Sequence, residues 1–82
     1  VTPVSVRFFG GAAEAFGGPD TEVHGVHDLA GLVQQLTDRG DARLGEVLAQ
    51  CSFFIDSEHH RNLNTPVPDG ARVDVLPPFA GG

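Results

Sequence analysis

Arg72-Val73-Asp74-Val75-Leu76-Pro77-Pro78 is the stretch that decides how this chain is built. Val73 and Val75 fall on one side and Arg72 and Asp74 on the other, the period-two pattern of a strand with one buried face. Pro77-Pro78 then stops sheet pairing, because neither residue has an N–H to give. Asp69-Gly70, just upstream, is a tight-turn pair that launches the strand. Val4-Ser5-Val6-Arg7-Phe8-Phe9 repeats the pattern near the other end of the chain. Val4, Val6 and Phe8 point one way, and Ser5, Arg7 and Phe9 the other. Gly10-Gly11 ends that run. The two most regular strands are thus the first and the last.

The residues between them supply a helical layer and weaker strands. Ala12 to Phe16 suits a short helical turn before Gly17-Gly18-Pro19-Asp20, a strong turn signal. Thr21 to Val26 reads as a second strand, interrupted by Gly25. Asp28 is a candidate N-cap. Leu29, Leu32, Val33 and Leu36 follow at i, i+3, i+4 and i+7, the apolar stripe of an amphipathic helix. Arg39 and Gly40 close it. Asp41 caps a second, shorter helix to about Gln50. Ser52 to Asp56 forms a third strand with Phe53 and Ile55 on one face. Ser57 to Asn64 is a polar loop with room for a short strand, and Pro66 and Pro68 keep that region from being a central strand. A β-β-α-α-β-β order with helices crossing between hairpins predicts a two-layer α+β domain. The expected architecture is a β-grasp: a mixed sheet, helices on one face, first and last strands side by side in its centre. The domain occupies residues 1–76, and residues 77–82 form an extended C-terminal tail.

Composition narrows the function. An 82-residue chain, 40% hydrophobic, supports one soluble domain with little room for a deep enclosed site. The net charge of -6, with no lysine and five scattered arginines, disfavours nucleic-acid binding, which needs clustered cations. It suits partners with basic docking surfaces. No apolar run approaches the roughly 20 residues of a membrane span. Val1-Thr2-Pro3-Val4 lacks the features of a signal peptide, so a cytoplasmic location is expected. The lone Cys51 cannot form an intramolecular disulfide. It continues the helical face of Leu44, Val47 and Leu48, which predicts a buried, inert thiol rather than a nucleophile.

Beyond Leu76 the chain reads Pro77-Pro78-Phe79-Ala80-Gly81-Gly82. Two prolines favour an extended, polyproline-like arm, and six residues at about 3.1–3.5 Å each reach on the order of 20 Å. A glycine pair has no side chains, so it can thread a narrow channel and present a terminal carboxylate to a nucleotide.

This run resembles the C-terminus of the small subunit of molybdopterin synthase, a ubiquitin-like sulfur carrier ending in Gly-Gly. The resemblance extends over the whole chain: the Val-Arg-Phe-Phe strand, the Gly-rich stretch, the Asp28-Leu29 helix start and Asp69-Gly70-Ala71-Arg72-Val73. It implies that a ubiquitin-activating-type adenylyltransferase, using ATP, adenylates the Gly82 carboxylate. A sulfurtransferase supplies sulfur, AMP leaves, and a thiocarboxylate remains. The tail then enters the large subunit of molybdopterin synthase, where the sulfur passes to a pterin precursor in molybdenum cofactor biosynthesis. On this reading Gly81 and Gly82 carry the chemistry, the chain binds no cofactor and is not catalytic alone, and partners supply the pockets. A cysteine- or thiamine-pathway sulfur carrier, a ubiquitin-like modifier and a plain β-grasp adaptor are the alternatives. The chain departs from many relatives in having Asp56-Ser57, rather than Asn-Gly, after the third strand.

Partner contacts are expected on the sheet face away from the helices, through Phe9 and Leu76, and along Pro77, Pro78, Phe79 and Ala80. No metal site is expected. His24 and His27 flank a strand-to-helix junction, and the adjacent His59 and His60 would point to opposite faces of a strand. Asp56 and Glu58 read as solvated surface, and no strand–GxxxxGK–helix phosphate motif occurs.

Overall fold

The computed structural model describes residues 2–78. Its elements run β1 (Val4–Phe8), α1 (Gly11–Phe16), β2 (Asp20–Val23), α2 (Leu29–Arg39), α3 (Ala42–Gln50), β3 (Ser52–Ile55), β4 (Glu58–His60) and β5 (Arg72–Leu76). The five strands form one mixed sheet in the order β2-β1-β5-β3-β4. β1 and β5 lie side by side and parallel at its centre, with Val6 opposite Val73 and Arg7 opposite Asp74. The other pairings are antiparallel. This is the β-grasp arrangement expected from the two regular strands.

Period two sorts the central strands. Val4, Val6, Phe8, Val73, Val75, Phe53 and Ile55 are buried on one face. They pack in one core with Leu29, Leu32 and Leu36 of α2 and Leu44 and Leu48 of α3. Complete burial of a Leu or Val side chain stabilises a fold by about 1.5–3 kcal/mol, so the sheet's inner face and the two apolar helix stripes define each other's position. Phe16 of α1 stacks on Phe8 with ring centroids 4.4 Å apart, holding that short helix to the end of β1.

The helix starts have specific causes. The Asp28 carboxylate accepts from the Gly31 N–H at 2.8 Å. The Leu29 and Ala30 N–H groups donate to the carbonyls of Thr65 and Leu63, at 3.1 and 2.8 Å. The first donors of α2, orphaned by helix geometry, are thus taken up by the segment between β4 and β5. Asp41 caps α3 in the same way, accepting from Leu44 N–H at 3.1 Å. Gly40 ends α2 in extended backbone. Glycine is needed there for room, because a Cβ would run into the side chain of Leu44.

Two elements differ from expectation, and the short strand for which the polar loop had room is located. β2 stops at Val23, short of the expected Val26, because the chain leaves the sheet through Gly25 at φ 71°. Arg39 and Gln35 of α2 donate to the Glu22 and His24 carbonyls, covering that sheet edge. Glu58–His60 is a true strand, paired with β3 through a two-residue turn at Asp56-Ser57. Cys51 lies just past α3 as its C-cap, half-buried, its Sγ donating to the Val47 carbonyl at 3.1 Å.

Candidate functional site

The face of the sheet away from the helices is built by the residues that alternate with the core. In β5 these are Arg72, Asp74 and Leu76; in β1 they are Ser5 and Arg7, with Phe9 just beyond. The Arg7 guanidinium donates from Nε and Nη2 to the two carboxylate oxygens of Asp74, at 3.0 and 3.2 Å. It also sits 5.5 Å from the centre of the Phe9 ring. That pairing raises the Arg7 pKa above its ordinary value, chiefly through the hydrogen bond to Asp74 and then through its charge. On the next strand Phe54 stands opposite Asp74 and stacks on His59, with centroids 4.9 Å apart.

Phe9, Phe54, Ser57, Asp74 and Leu76 together line an open hollow of about 260 Å³. Phe9 is 39% exposed and Leu76 half-buried. The structure therefore brings the two apolar residues singled out from the sequence into one depression. Sequence reasoning missed Phe54, Ser57 and His59. For Phe54 the signal was available: it lies between inward-facing Phe53 and Ile55, so a period of two turns it outward.

The root of the tail is also defined. Phe9 N–H donates to the Val75 carbonyl at 3.1 Å, carrying the central pairing one residue past β1. Pro77 is buried, and a Cβ built on Gly10 would lie 3.5 Å from its Cγ. Pro78 is exposed and borders a hollow of about 230 Å³ with Arg43, Glu46, Val47 and Gln50 of α3. Phe79, Ala80, Gly81 and Gly82 lie outside the described residues.

Two other features are set apart from this face. A hollow of about 450 Å³ lies between α2, α3 and the β3–β4 hairpin, with Val33, Leu48, Cys51 and Leu63 in its lining. Burial raises the Cys51 pKa, which keeps the thiol protonated and a poor nucleophile. Among the described residues no group of three or more His, Cys, Asp or Glu side chains could hold a metal ion. No helix among them is long and apolar enough to cross a membrane.

Comparison with known proteins places the chain. The family model described as the ThiS family matches residues 6–82. Among solved structures, the chain is similar to one in the protein–protein complex of subunits 1 and 2 of molybdopterin-converting factor from Helicobacter pylori. The two are 32% identical over 99% of this chain and 100% of that one, with a TM-score of 0.72. Small archaeal modifier protein 1 from Methanosarcina acetivorans aligns over 99% of this chain and 97% of its own, at 23% identity and a TM-score of 0.82. A putative molybdopterin converting factor subunit 1 from Pyrococcus furiosus aligns over 96% and 100%, at 18% identity and 0.79. The last two likenesses establish the fold alone. A search of curated proteins found no match. With all but the first five residues inside the family match, the chain belongs to the ThiS family of ubiquitin-like sulfur carriers.

Proposed function

We propose that this chain is the sulfur carrier of molybdenum cofactor biosynthesis, acting as the small subunit of molybdopterin synthase. The observation that carries this reading is the likeness to the Helicobacter pylori molybdopterin-converting factor complex, 32% identical over 99% of this chain. The Leu76-Pro77-Pro78-Phe79-Ala80-Gly81-Gly82 run supports it. The Gly82 carboxylate attacks the α-phosphate of ATP bound to an adenylyltransferase, and pyrophosphate leaves. The persulfide of a sulfurtransferase then attacks the acyl carbon and displaces AMP, and a thiol reductant cleaves the S–S bond of the resulting acyl disulfide, leaving a thiocarboxylate. Adenylation is needed because an unactivated carboxylate oxygen is a poor leaving group. The terminal sulfur is then the nucleophile that reaches the pterin precursor inside the large subunit.

The fold supports a division of labour. Among the described residues the outer sheet face carries open hollows, one around Phe9, Phe54 and Leu76 and another edged by Ser5, Arg7 and Arg72. The first hollow and the tail serve as the contact surface, with apolar anchors at the centre and polar residues at the rim. The partners supply the nucleotide and pterin pockets and the acid–base groups.

The test is intact-mass measurement after incubation with the cognate adenylyltransferase, ATP and a sulfur source, followed by addition of the large subunit and precursor. The chain is expected to gain the mass difference between sulfur and oxygen and to lose it again when the large subunit turns over. A chain that never gains sulfur is an adaptor. One that gains it but does not discharge it to the large subunit serves a different pathway.

A further inference from the structure

We infer that Ser57 is a specificity-determining residue of the outer-face hollow, its hydroxyl held at the lip to bond a polar group of the large subunit beside an apolar side chain seated in the hollow. The inference rests on the docking role proposed for that face. Its starting point is the turn between β3 and β4, where Asp56 and Ser57 have φ values of 48° and 74°. Two successive left-handed residues joining paired strands make a type I′ turn, for which Asn-Gly or Asp-Gly is the favoured pair. Glycine reaches the left-handed region without steric cost, whereas a side chain there is strained.

The two residues differ in what compensates them. Asp56 is clamped to β5: its N–H donates to the Arg72 carbonyl at 2.8 Å, and its carboxylate accepts from the Arg72 N–H at 3.0 Å. No comparable bond from the Ser57 side chain occurs among the described residues, so nothing in the fold explains a serine where glycine would be less strained. Strained backbone of this kind clusters at ligand-contacting sites. Ser57 is at such a place, lining the hollow with Phe9, Phe54, Asp74 and Leu76.

The hollow's chemistry points to the occupant. At about 260 Å³ it falls below the roughly 300–1,000 Å³ of small-molecule sites, and its apolar lining suits one large apolar side chain of a protein partner. The Asp74 carboxylate is already engaged by Arg7. Ser57 is the polar side chain of the lining that makes no hydrogen bond of its own among the described residues. A partner offering a complementary donor or acceptor gains one hydrogen bond. One that buries the hydroxyl without a partner loses the water bound to it, and that difference is discrimination.

The experiment measures calorimetric affinity for the large subunit and the thermal midpoint for the full chain and for Ser57→Gly, Ser57→Ala and Phe9→Ala. Ser57→Gly is expected to raise the midpoint while weakening binding by about three-fold to ten-fold, the range of one hydrogen bond. Ser57→Ala, which keeps the strained Cβ, is expected to weaken binding to the same extent without raising the midpoint. If both Ser57 variants bind as the parent does while Phe9→Ala binds more weakly, the role of Ser57 is overturned and the docking face stands. If all three bind as the parent does, the docking face falls and the role of Ser57 falls with it. A Ser57→Gly midpoint that stays level or drops removes the strain and also overturns the inference.

Discussion

Arg7 grips both carboxylate oxygens of Asp74, at 3.0 and 3.2 Å, across the parallel strand pair at the centre of the sheet. The pair stands on the outer face, with side-chain exposures of 46% and 15%, so the arginine covers the carboxylate more than it is covered itself. Exposed pairs contribute little to stability and are screened by salt. Arg7→Gln is therefore expected to lower the thermal midpoint slightly at low ionic strength. The difference from the parent should vanish near 1 M salt, where the screening length is about 3 Å. Melting curves across a salt series check this; a gap that persists at high salt would show that packing of the arginine stem, not charge, holds the site.

Phe9 and Leu76 separate docking from folding. Phe9 is 39% exposed and Leu76 half-buried at the edge of the hollow. Phe9→Ala and Leu76→Ala are expected to weaken binding to the large subunit at least ten-fold, as central apolar anchors do, with small shifts in the thermal midpoint. Leu36→Ala is the contrasting control. Its side chain is fully buried, so it should lose about 2–5 kcal/mol of stability with little change in affinity of the molecules that remain folded. Calorimetry and denaturant unfolding on the same samples distinguish the two classes.

The terminal pair is expected to tolerate almost no change. Deleting Gly82 moves the carboxylate back by roughly 3.5 Å, which exceeds the slack of reacting atoms that must approach to about 3–3.5 Å. Gly81→Ala keeps the length but adds a methyl and restricts the backbone, so it should impair activation less. Both variants should fold as the parent does by circular dichroism. ATP–pyrophosphate exchange with the adenylyltransferase gives the readout. Undiminished exchange by the chain lacking Gly82 would remove the sulfur-carrier chemistry proposed for it.

Cys51 offers a test in pH. Burial raises its pKa, so the folded state favours the neutral thiol. The contribution to stability is full below the unfolded thiol pKa and is lost as pH rises through the higher folded value. The window thus opens above about pH 8.5. Folded protein at pH 8 is expected to react with iodoacetamide several-fold more slowly than protein unfolded in urea. Cys51→Ser should lose some stability and still accept sulfur at Gly82. A folded Cys51→Ser chain that accepts none would put the thiol in the chemistry.

Much of this molecule was readable where one physical signal dominates. Alternation in Val4-Ser5-Val6-Arg7-Phe8 and Arg72-Val73-Asp74-Val75-Leu76 gave the central strands, because one side of each is buried. Asp28 and Asp41 marked both helix starts, because orphan N–H groups need a nearby acceptor. β4 was hard to read for the opposite reason. Glu58-His59-His60 is a three-residue edge strand with no fully buried side chain, so it has no alternation to show. Its turn carries Asp-Ser, which lacks the glycine that usually announces such a hairpin. The hollow was half legible: Phe9 and Leu76 could be placed from strand period alone. Adding Ser57 required knowing which strand lies beside β3.

Pro77 fixes where the tail leaves the domain. Because it is buried beside Gly10, it is anchored to the domain, and any reach beyond the domain is measured from Pro78. Five residues from there to Gly82 span roughly 16 Å when extended, about half the molecule's longest dimension of 33 Å. On the proposed function, the enzyme that loads sulfur and the enzyme that removes it must each bring a reactive centre inside that same small radius. Two proteins cannot occupy one such volume together. The carrier would then have to leave its loading partner before meeting its unloading one, so the two partners would compete for it.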